Sequence, residues 1–94
     1  MSSRLRPPVQ TSDHVAGNPA APIVLVEYGD YECPFCGRAH RIVQQLQRAL
    51  GERLLFVFRN FPLAAAHPHA LLAAEAAEAA AAQGRFLPMH DTLY

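Results

Sequence analysis

The sequence predicts an α/β protein built on a strand–helix–strand unit. Two apolar runs, at 23–26 and 54–58, have the composition of buried strands. The segment between them carries apolar residues at helical spacing. A helix that connects two strands of one sheet makes a right-handed crossover almost without exception, so we expect the two strands to be parallel.

Residues 1–20 are predicted to form an extended lead-in, and residues 21–94 the domain. Prolines at positions 7, 8, 19 and 22 discourage a helix in this part of the chain. Within the lead-in, the segment 14–17 (His-Val-Ala-Gly) is a candidate for a short contact at the edge of the sheet.

The first strand is predicted at Ile23–Val26 and continues through Gly29. An uninterrupted apolar run predicts a strand that is buried on both faces, as in a parallel sheet. Glu27 breaks this pattern, because it places a carboxylate inside or at the end of a buried strand.

The connecting helix is predicted at about 34–50. Pro34 fits the first helical position, where its missing N–H has no partner within the helix, and Gly51 ends the helix. One apolar face is predicted, formed by Phe35, Ala39, Ile42, Val43, Leu46, Ala49 and Leu50. After the second strand, two further helical segments are predicted at about 69–83 and 86–94, separated by Gly84.

The two cysteines of the chain, Cys33 and Cys36, lie where the first strand meets the helix. With Pro34 at the first helical position, Cys33 occupies the N-cap region, where free amides and the positive end of the helix dipole favour a thiolate. We therefore expect the pKa of Cys33 to be lowered. Cys36, one turn into the helix, is placed to resolve a mixed disulfide between Cys33 and a substrate.

Neighbouring charges modulate this chemistry. Arg38 and Arg41 add positive potential near Cys33, whereas Asp30 and Glu32 oppose it. We therefore expect the pKa of Cys33 to be lowered moderately.

Glu27 is the third candidate catalytic residue, after Cys33 and Cys36. A buried carboxylate beneath the dithiol would accept the proton of Cys36 when that thiol must attack. The alternative is an edge position with the carboxylate in water.

Two other interpretations of the Cys-x-x-Cys spacing remain open. One is a zinc site, because Cys36 and His40 share a helix face and His67, His69 and His90 are available. The other is an inert structural disulfide. A strand that runs directly into a long helix is unlike a zinc knuckle, so we predict redox chemistry with no metal ligand and no cofactor.

Charge and hydropathy limit the partners. The formal net charge is zero and no long basic stripe occurs, so we expect neither nucleic acid nor an anionic membrane as a partner. No stretch is apolar enough for membrane insertion, and the N-terminus lacks the apolar core of a signal peptide. We therefore predict a cytoplasmic protein, or an extracytoplasmic one if a signal peptide has been removed. Its substrates would be proteins or small molecules that carry a disulfide or a dithiol.

Several segments, in order, resemble DsbA-like thiol–disulfide oxidoreductases of the thioredoxin superfamily. They are 21–28 (Ala-Pro-Ile-Val-Leu-Val-Glu-Tyr), 30–36 (Asp-Tyr-Glu-Cys-Pro-Phe-Cys), 58–63 (Phe-Arg-Asn-Phe-Pro-Leu), 67–70 (His-Pro-His-Ala) and 89–91 (Met-His-Asp). The resemblance implies a partial thioredoxin-like fold whose last helices belong to the helical insertion of the family. It also implies that Cys33 is the nucleophile and that an acid belongs at the position of Glu27. Some similar domains are appended to bacterial membrane transporters.

The resemblance covers only the first half of the family's domain. In the family, a cis-proline loop that faces the dithiol follows the helical insertion, and none of the eight prolines of this chain follows it. Unpaired strand edges and an uncovered sheet face would favour association, so we predict a homodimer or a higher assembly. The alternative function is a truncated thioredoxin-like binding or assembly module with little or no turnover.

Overall fold

The computed structural model describes Leu5 and residues 7–94, which form a three-stranded sheet with three α-helices. The strands are β1 (His14–Gly17), β2 (Ile23–Gly29) and β3 (Leu54–Asn60), and the helices are α1 (Pro34–Leu50), α2 (Ala70–Ala82) and α3 (Phe86–Leu93). β2 runs parallel to β3, and α1 connects them, so the predicted α/β class is confirmed. Residues 1–4 and 6 of the predicted lead-in lie outside the described residues. Within the described part of the chain, every helix is too short or too polar to cross a membrane.

β3 is the central strand of the sheet, whose order is β1–β3–β2. β1, which belongs to the predicted lead-in, pairs antiparallel with β3 and places Val15 opposite Val57. Because β3 has a neighbouring strand on both sides, residues 54–58 are all buried, as their uninterrupted apolar run indicated.

The prediction that β2 is buried on both faces is wrong. Ile23 is 44% exposed and Val24 is 48% exposed, the residues from Leu25 to Glu27 are half-buried, Tyr28 is exposed, and only Gly29 is buried. The reason is the position of the strand, because β2 pairs with β3 alone among the described residues and lies at an edge of the sheet.

The three helices pack on one face of the sheet. The parallel register pairs Leu25 with Phe56 and Glu27 with Phe58, and paired residues point to the same face. The core on that face combines residues of β3, of all three helices and of the turn before α1: Tyr31, Val43, Phe56, Phe58, Ala77 and Phe86. Glu27 therefore belongs to the face that lies beneath the helices.

The segment before β1 covers part of the opposite face. Val57 on that face is fully buried. Arg59, on the same face, donates hydrogen bonds to the carbonyl oxygens of Pro7 and Pro8 and to both carboxylate oxygens of Asp13. The sheet face that was expected to be uncovered is thus partly covered by the chain itself.

α1 turns only part of its apolar face toward the core. Val43 is buried, whereas Phe35 and Ile42 are exposed. His40 is the other buried residue of α1, and its ring stacks on Tyr94 with the ring centroids 4.9 Å apart. This contact with the end of the described chain helps to decide which face of α1 points inward.

α2 reaches the core through small side chains. Its buried residues are Ala70, Ala74, Ala77 and Ala80. They recur every three or four residues, which is the spacing of one helix face. Leu71 and Leu72, the large apolar residues of this helix, are exposed.

Candidate redox site

Cys33 lies at the N-cap of α1, directly before Pro34. Cys33 forms no side-chain capping hydrogen bond, but the backbone N–H groups of Phe35 and Cys36 belong to the first turn of α1, where amides have no partner within the helix. The Cys36 amide is the largest influence on the Cys33 thiol, and the net effect is a lowered pKa. Burial opposes this effect but does not cancel it. The start of α1 therefore stabilises a thiolate at Cys33.

Cys36 lies one turn further into α1 and is half-buried. Burial is the largest cause of its raised pKa, and the neighbouring sulfur of Cys33 and the charge of Glu27 raise it further. The backbone of Asp30 acts in the opposite direction. Cys36 consequently stays protonated under conditions in which Cys33 ionises.

Two buried polar atoms without a hydrogen-bond partner are Oε2 of Glu27 and the hydroxyl oxygen of Tyr94. Burial raises the pKa of the Glu27 carboxyl. Burial is also the main cause of the raised pKa of Tyr94, and the Cys36 thiol and the Glu27 charge raise that pKa further. The charge of Glu27 therefore acts on both Cys36 and Tyr94, and its buried Oε2 shows that the carboxyl group is not at a water-exposed edge.

Asp30 fixes the turn between β2 and α1. The side chain is buried, and one carboxylate oxygen accepts the N–H of Glu32 at 2.8 Å. The other oxygen accepts the N–H of Leu63 at 2.9 Å and lies 2.7 Å from Nδ1 of His67. Burial alone would raise the pKa of Asp30, but these partners together lower it. The turn that carries the dithiol is thereby anchored to the segment after β3.

His67 and Tyr94 were not among the residues predicted for the site. His67 contacts Asp30 across 37 positions of sequence, and no periodic pattern connects the two residues. The segment 67–69 (His-Pro-His) is the sequence feature that could have pointed to His67. We attributed it instead to the start of the following helix. Tyr94 carried no signal at all, because its role depends on how the end of the described chain packs against α1.

Exposed apolar side chains lie between the two cysteines and on the segment that is bonded to Asp30. Phe35, between the two cysteines, is 74% exposed, and the Arg38 guanidinium lies 4.6 Å from the centroid of its ring. Phe61 and Leu63, in the segment that contacts Asp30, are exposed as well. These side chains offer apolar contacts to a molecule that approaches Cys33.

The zinc site built on Cys36 is not formed. His67 is bonded to Asp30, and His40 faces His90 in the core with the ring centroids 5.2 Å apart. Within residues 7–94, the ligand-type side chains that converge are His40, His90 and Asp91, and neither cysteine belongs to this group.

A parallel strand–helix–strand unit with a dithiol at the start of its helix defines a thioredoxin-like fold. The chain matches the model of the thioredoxin family over residues 10–94, and it belongs to that family. Its structure is similar to that of a thioredoxin-like oxidoreductase from Silicibacter pomeroyi DSS-3, with a TM-score of 0.80 and 36% sequence identity. The match covers 89% of this chain and 47% of that one. The predicted recognition, a DsbA-like part of a thioredoxin-superfamily domain, is confirmed.

Other relatives are much longer proteins. The chain is 52% identical over 90 residues to the Na(+)/H(+) antiporter NhaA 1 of Mycobacterium sp. (strain KMS), a match that covers 96% of this chain and 15% of the relative. It is 42% identical over 91 residues to the Na(+)/H(+) antiporter NhaA of Herminiimonas arsenicoxydans, covering 96% of this chain and 14% of the relative. The chain thus spans a small part of the length of these antiporters.

Proposed function

We propose that this protein is a thiol–disulfide oxidoreductase that exchanges disulfides through Cys33 and Cys36. The observation that carries the proposal is the placement of the two cysteines at the start of α1, with Cys33 at the N-cap and Cys36 half-buried one turn further on. This placement lowers the pKa of Cys33 and raises that of Cys36. A lowered pKa favours an attacking thiolate at Cys33, and the protonated thiol of Cys36 is then available to resolve the mixed disulfide. Family membership supports the same class of chemistry.

The exchange proceeds in two substitutions at sulfur. The Cys33 thiolate attacks a substrate disulfide, a Cys33–substrate bond forms, and the first substrate sulfur leaves and takes up a proton. Cys36 then loses its proton and attacks the sulfur of Cys33, which forms the Cys33–Cys36 disulfide and releases the second substrate sulfur as a thiol. Two electrons pass from the protein dithiol to the substrate disulfide, and the reverse sequence oxidises a substrate dithiol.

Glu27 is proposed as the proton acceptor for Cys36. The carboxyl group has one buried oxygen without a partner, and its raised pKa makes it a stronger base than a carboxylate in water. The substrates we propose are proteins or small molecules with an accessible disulfide or dithiol. Phe35, Phe61 and Leu63 would contact their apolar parts near Cys33.

Reduction of insulin in the presence of a dithiol reductant tests this function. We expect turnover by the wild-type protein and none above background by Cys33→Ser. Ala49→Ser is a matched control, because it adds a hydroxyl group to an exposed position at the far end of the same helix. Equal rates for the wild-type protein and Cys33→Ser would refute the proposal.

A second candidate function is a binding or assembly module with little turnover, in which this chain associates with itself or with another protein. It is favoured by apolar side chains at the edge formed by β2, where Ile23 and Val24 are exposed, and on the outer face of α1, where Ile42 and Leu46 are exposed. The antiporter relatives, in which a similar segment is a small part of the chain, are in keeping with attachment to a larger assembly.

Light scattering coupled to size exclusion tests the assembly. We expect a dimer or a larger species, and Val24→Lys at the exposed edge should shift the population toward monomer. A well-folded monomer at low micromolar concentration, with full insulin reductase turnover, would reject this candidate and leave the first one standing.

A further inference from the structure

A second group of reactive side chains lies between α1 and α3, on the helix face of the sheet. It consists of His40 from α1 and of His90 and Asp91 from α3. One ring nitrogen of each histidine and one carboxylate oxygen of Asp91 all lie within 4.8 Å of one another. The three side chains line a cavity of about 100 Å³, together with Gln44 and Gln47.

His90, which lines this cavity, has a buried nitrogen without a partner. The residue is 1% exposed, and Nδ1 forms a 2.8 Å hydrogen bond with the hydroxyl group of Tyr31. Nε2 is buried and has no hydrogen-bond partner. A buried polar atom without a partner costs free energy, and such atoms are uncommon in native proteins. Because Tyr31 occupies the other nitrogen, Nε2 is the atom of His90 that is left for a ligand.

We infer that His40, His90 and Asp91 bind a divalent transition-metal ion, for which Zn²⁺ is the probe. Two imidazole nitrogens and a carboxylate oxygen are ordinary zinc ligands. At metal–ligand distances of about 2.0–2.1 Å, tetrahedral ligand atoms are roughly 3.3 Å apart. Nε2 of His40 and Oδ1 of Asp91 already lie 3.5 Å apart. All three ligand atoms lie within 4.8 Å of one another, so the group would have to close onto the ion by up to about 1.5 Å.

The surroundings of the group suit such an ion. A histidine that binds a metal through one nitrogen usually donates the N–H of the other to an oxygen, and the Tyr31 hydroxyl is in place to accept from Nδ1 of His90. The side chain of Asp91 is 55% exposed, which gives an ion a route from solvent. The cavity has room for a water molecule as the fourth ligand.

This site is separate from the dithiol but adjoins it through α1. His40 follows Cys36 by one turn of the helix, and Tyr31 belongs to the turn that carries Cys33. An ion held by His40 on one helix and by His90 and Asp91 on another would join α1 to α3. Because the ion would bind the folded protein and not the unfolded one, it would raise the melting temperature.

Zn²⁺ titration by calorimetry, in a Cys33→Ser/Cys36→Ser background, tests the inference. That background removes the thiolates, which would bind zinc themselves. We expect one ion per chain, and at least a tenfold loss of affinity with Asp91→Asn or His40→Gln. His69→Asn, at an exposed histidine outside the group, is the matched control and should leave the affinity unchanged.

A measurement on unaltered histidines guards against variants that fail to fold. Nitrogen NMR of the imidazole groups should show a Zn²⁺-induced shift at Nε2 of His90 and a retained N–H at Nδ1. The absence of stoichiometric binding would overturn the inference. Binding that Asp91→Asn and His40→Gln do not weaken, or Zn²⁺ shifts confined to His67 and His69, would overturn it as well.

Discussion

Cys33 and Cys36 carry identical side chains three residues apart on one helix, yet their thiol pKa values move in opposite directions. Cys33 is at the N-cap, where the amides of Cys36 and Phe35 in the first turn lower the pKa of its thiol. Cys36 is inside the first turn, where burial and the charges of Cys33 and Glu27 disfavour its thiolate. The two thiol pKa values therefore differ because of where each cysteine lies at the start of α1, since the side chains themselves are identical.

This contrast teaches that the dithiol is polarised by its backbone. The strongest influence on Cys33 comes from an amide of the first turn, which any side chain at position 36 would retain. The strongest influence on Cys36 is the packing above the sheet face that carries Glu27. The lowered pKa of Cys33 therefore depends on four consecutive residues, whereas the raised pKa of Cys36 depends on the whole fold.

The largest expected effect is on the accumulation of a mixed disulfide, which distinguishes the nucleophile Cys33 from the resolving Cys36. Cys36→Ser keeps the attacking thiolate but lacks a resolving thiol, so it should accumulate a mixed disulfide with a small disulfide probe. Cys33→Ser should accumulate almost none, because the remaining Cys36 is half-buried and protonated. Mass spectrometry of the intact protein after brief incubation at pH 7 measures the adduct. Equal adduct formation by the two variants would abolish the distinction between nucleophile and resolving thiol.

The next largest effect concerns the second step of the exchange, in which Cys36 resolves the mixed disulfide. Glu27→Gln removes the proposed proton acceptor, and loss of general base catalysis typically costs about 100-fold or more. We expect the resolution step to slow by about 100-fold while the first attack by Cys33 changes little. Stopped-flow measurement of the two steps separates them. Burial disfavours the ionised form of Glu27, so the substitution should not destabilise the fold. A slowed first step with an unchanged second step would contradict the assignment.

The local half of this site could be predicted from the sequence. Pro34 sets the start of α1, and the N-cap position of Cys33 follows from it directly. Glu27 could be singled out because a carboxylate interrupts an apolar run. Both inferences rest on neighbours within a few residues, where backbone geometry leaves few alternatives.

Features that depend on contacts between distant segments could not be predicted from the sequence. The apolar runs of β2 and β3 are similar in sequence, but β3 is central and buried whereas β2 lies at an edge and is half-exposed. Strand order depends on how distant segments pair, and here β1 supplies the neighbour that buries β3. The predicted apolar face of α1 is partly wrong for a related reason. His40, which was not assigned to that face, is buried against Tyr94, whereas Phe35 is exposed.

Asp30 influences both thiols and provides an intermediate effect. Asp30→Asn leaves the partners of the carboxylate, including the N–H of Leu63 and the ring of His67, imperfectly satisfied. We expect a loss of about 2 kcal/mol in the free energy of unfolding, measured by urea denaturation at pH 7. Glu75→Gln, at an exposed position of α2, is the control and should change the free energy by less than about 0.5 kcal/mol.

The Asp30 effect also has a defined pH dependence. Its pKa is lowered below the ordinary value of 3.8, so its contribution to stability is present above that pH and is lost as the pH falls through the lowered value. The difference in unfolding free energy between the wild-type protein and Asp30→Asn should therefore shrink below pH 3.8. A difference that stays constant from pH 7 to pH 2 would mean that the carboxylate charge is not what anchors the turn.

The smallest expected effect is a shift of two titration midpoints, and it tests the opening contrast directly. Alkylation rates measured against pH should give a midpoint below that of a free cysteine, about 8.5, for Cys33 in the Cys36→Ser variant, and a midpoint above it for Cys36 in the Cys33→Ser variant. The first midpoint should survive the substitution, because serine at position 36 retains the amide. The second should fall somewhat toward the free value, because the sulfur of Cys33 is one of the groups that raise the pKa of Cys36. If both midpoints equalled that of a free cysteine, the start of α1 would not polarise the dithiol, and the preference for Cys33 as nucleophile would have to arise from exposure alone.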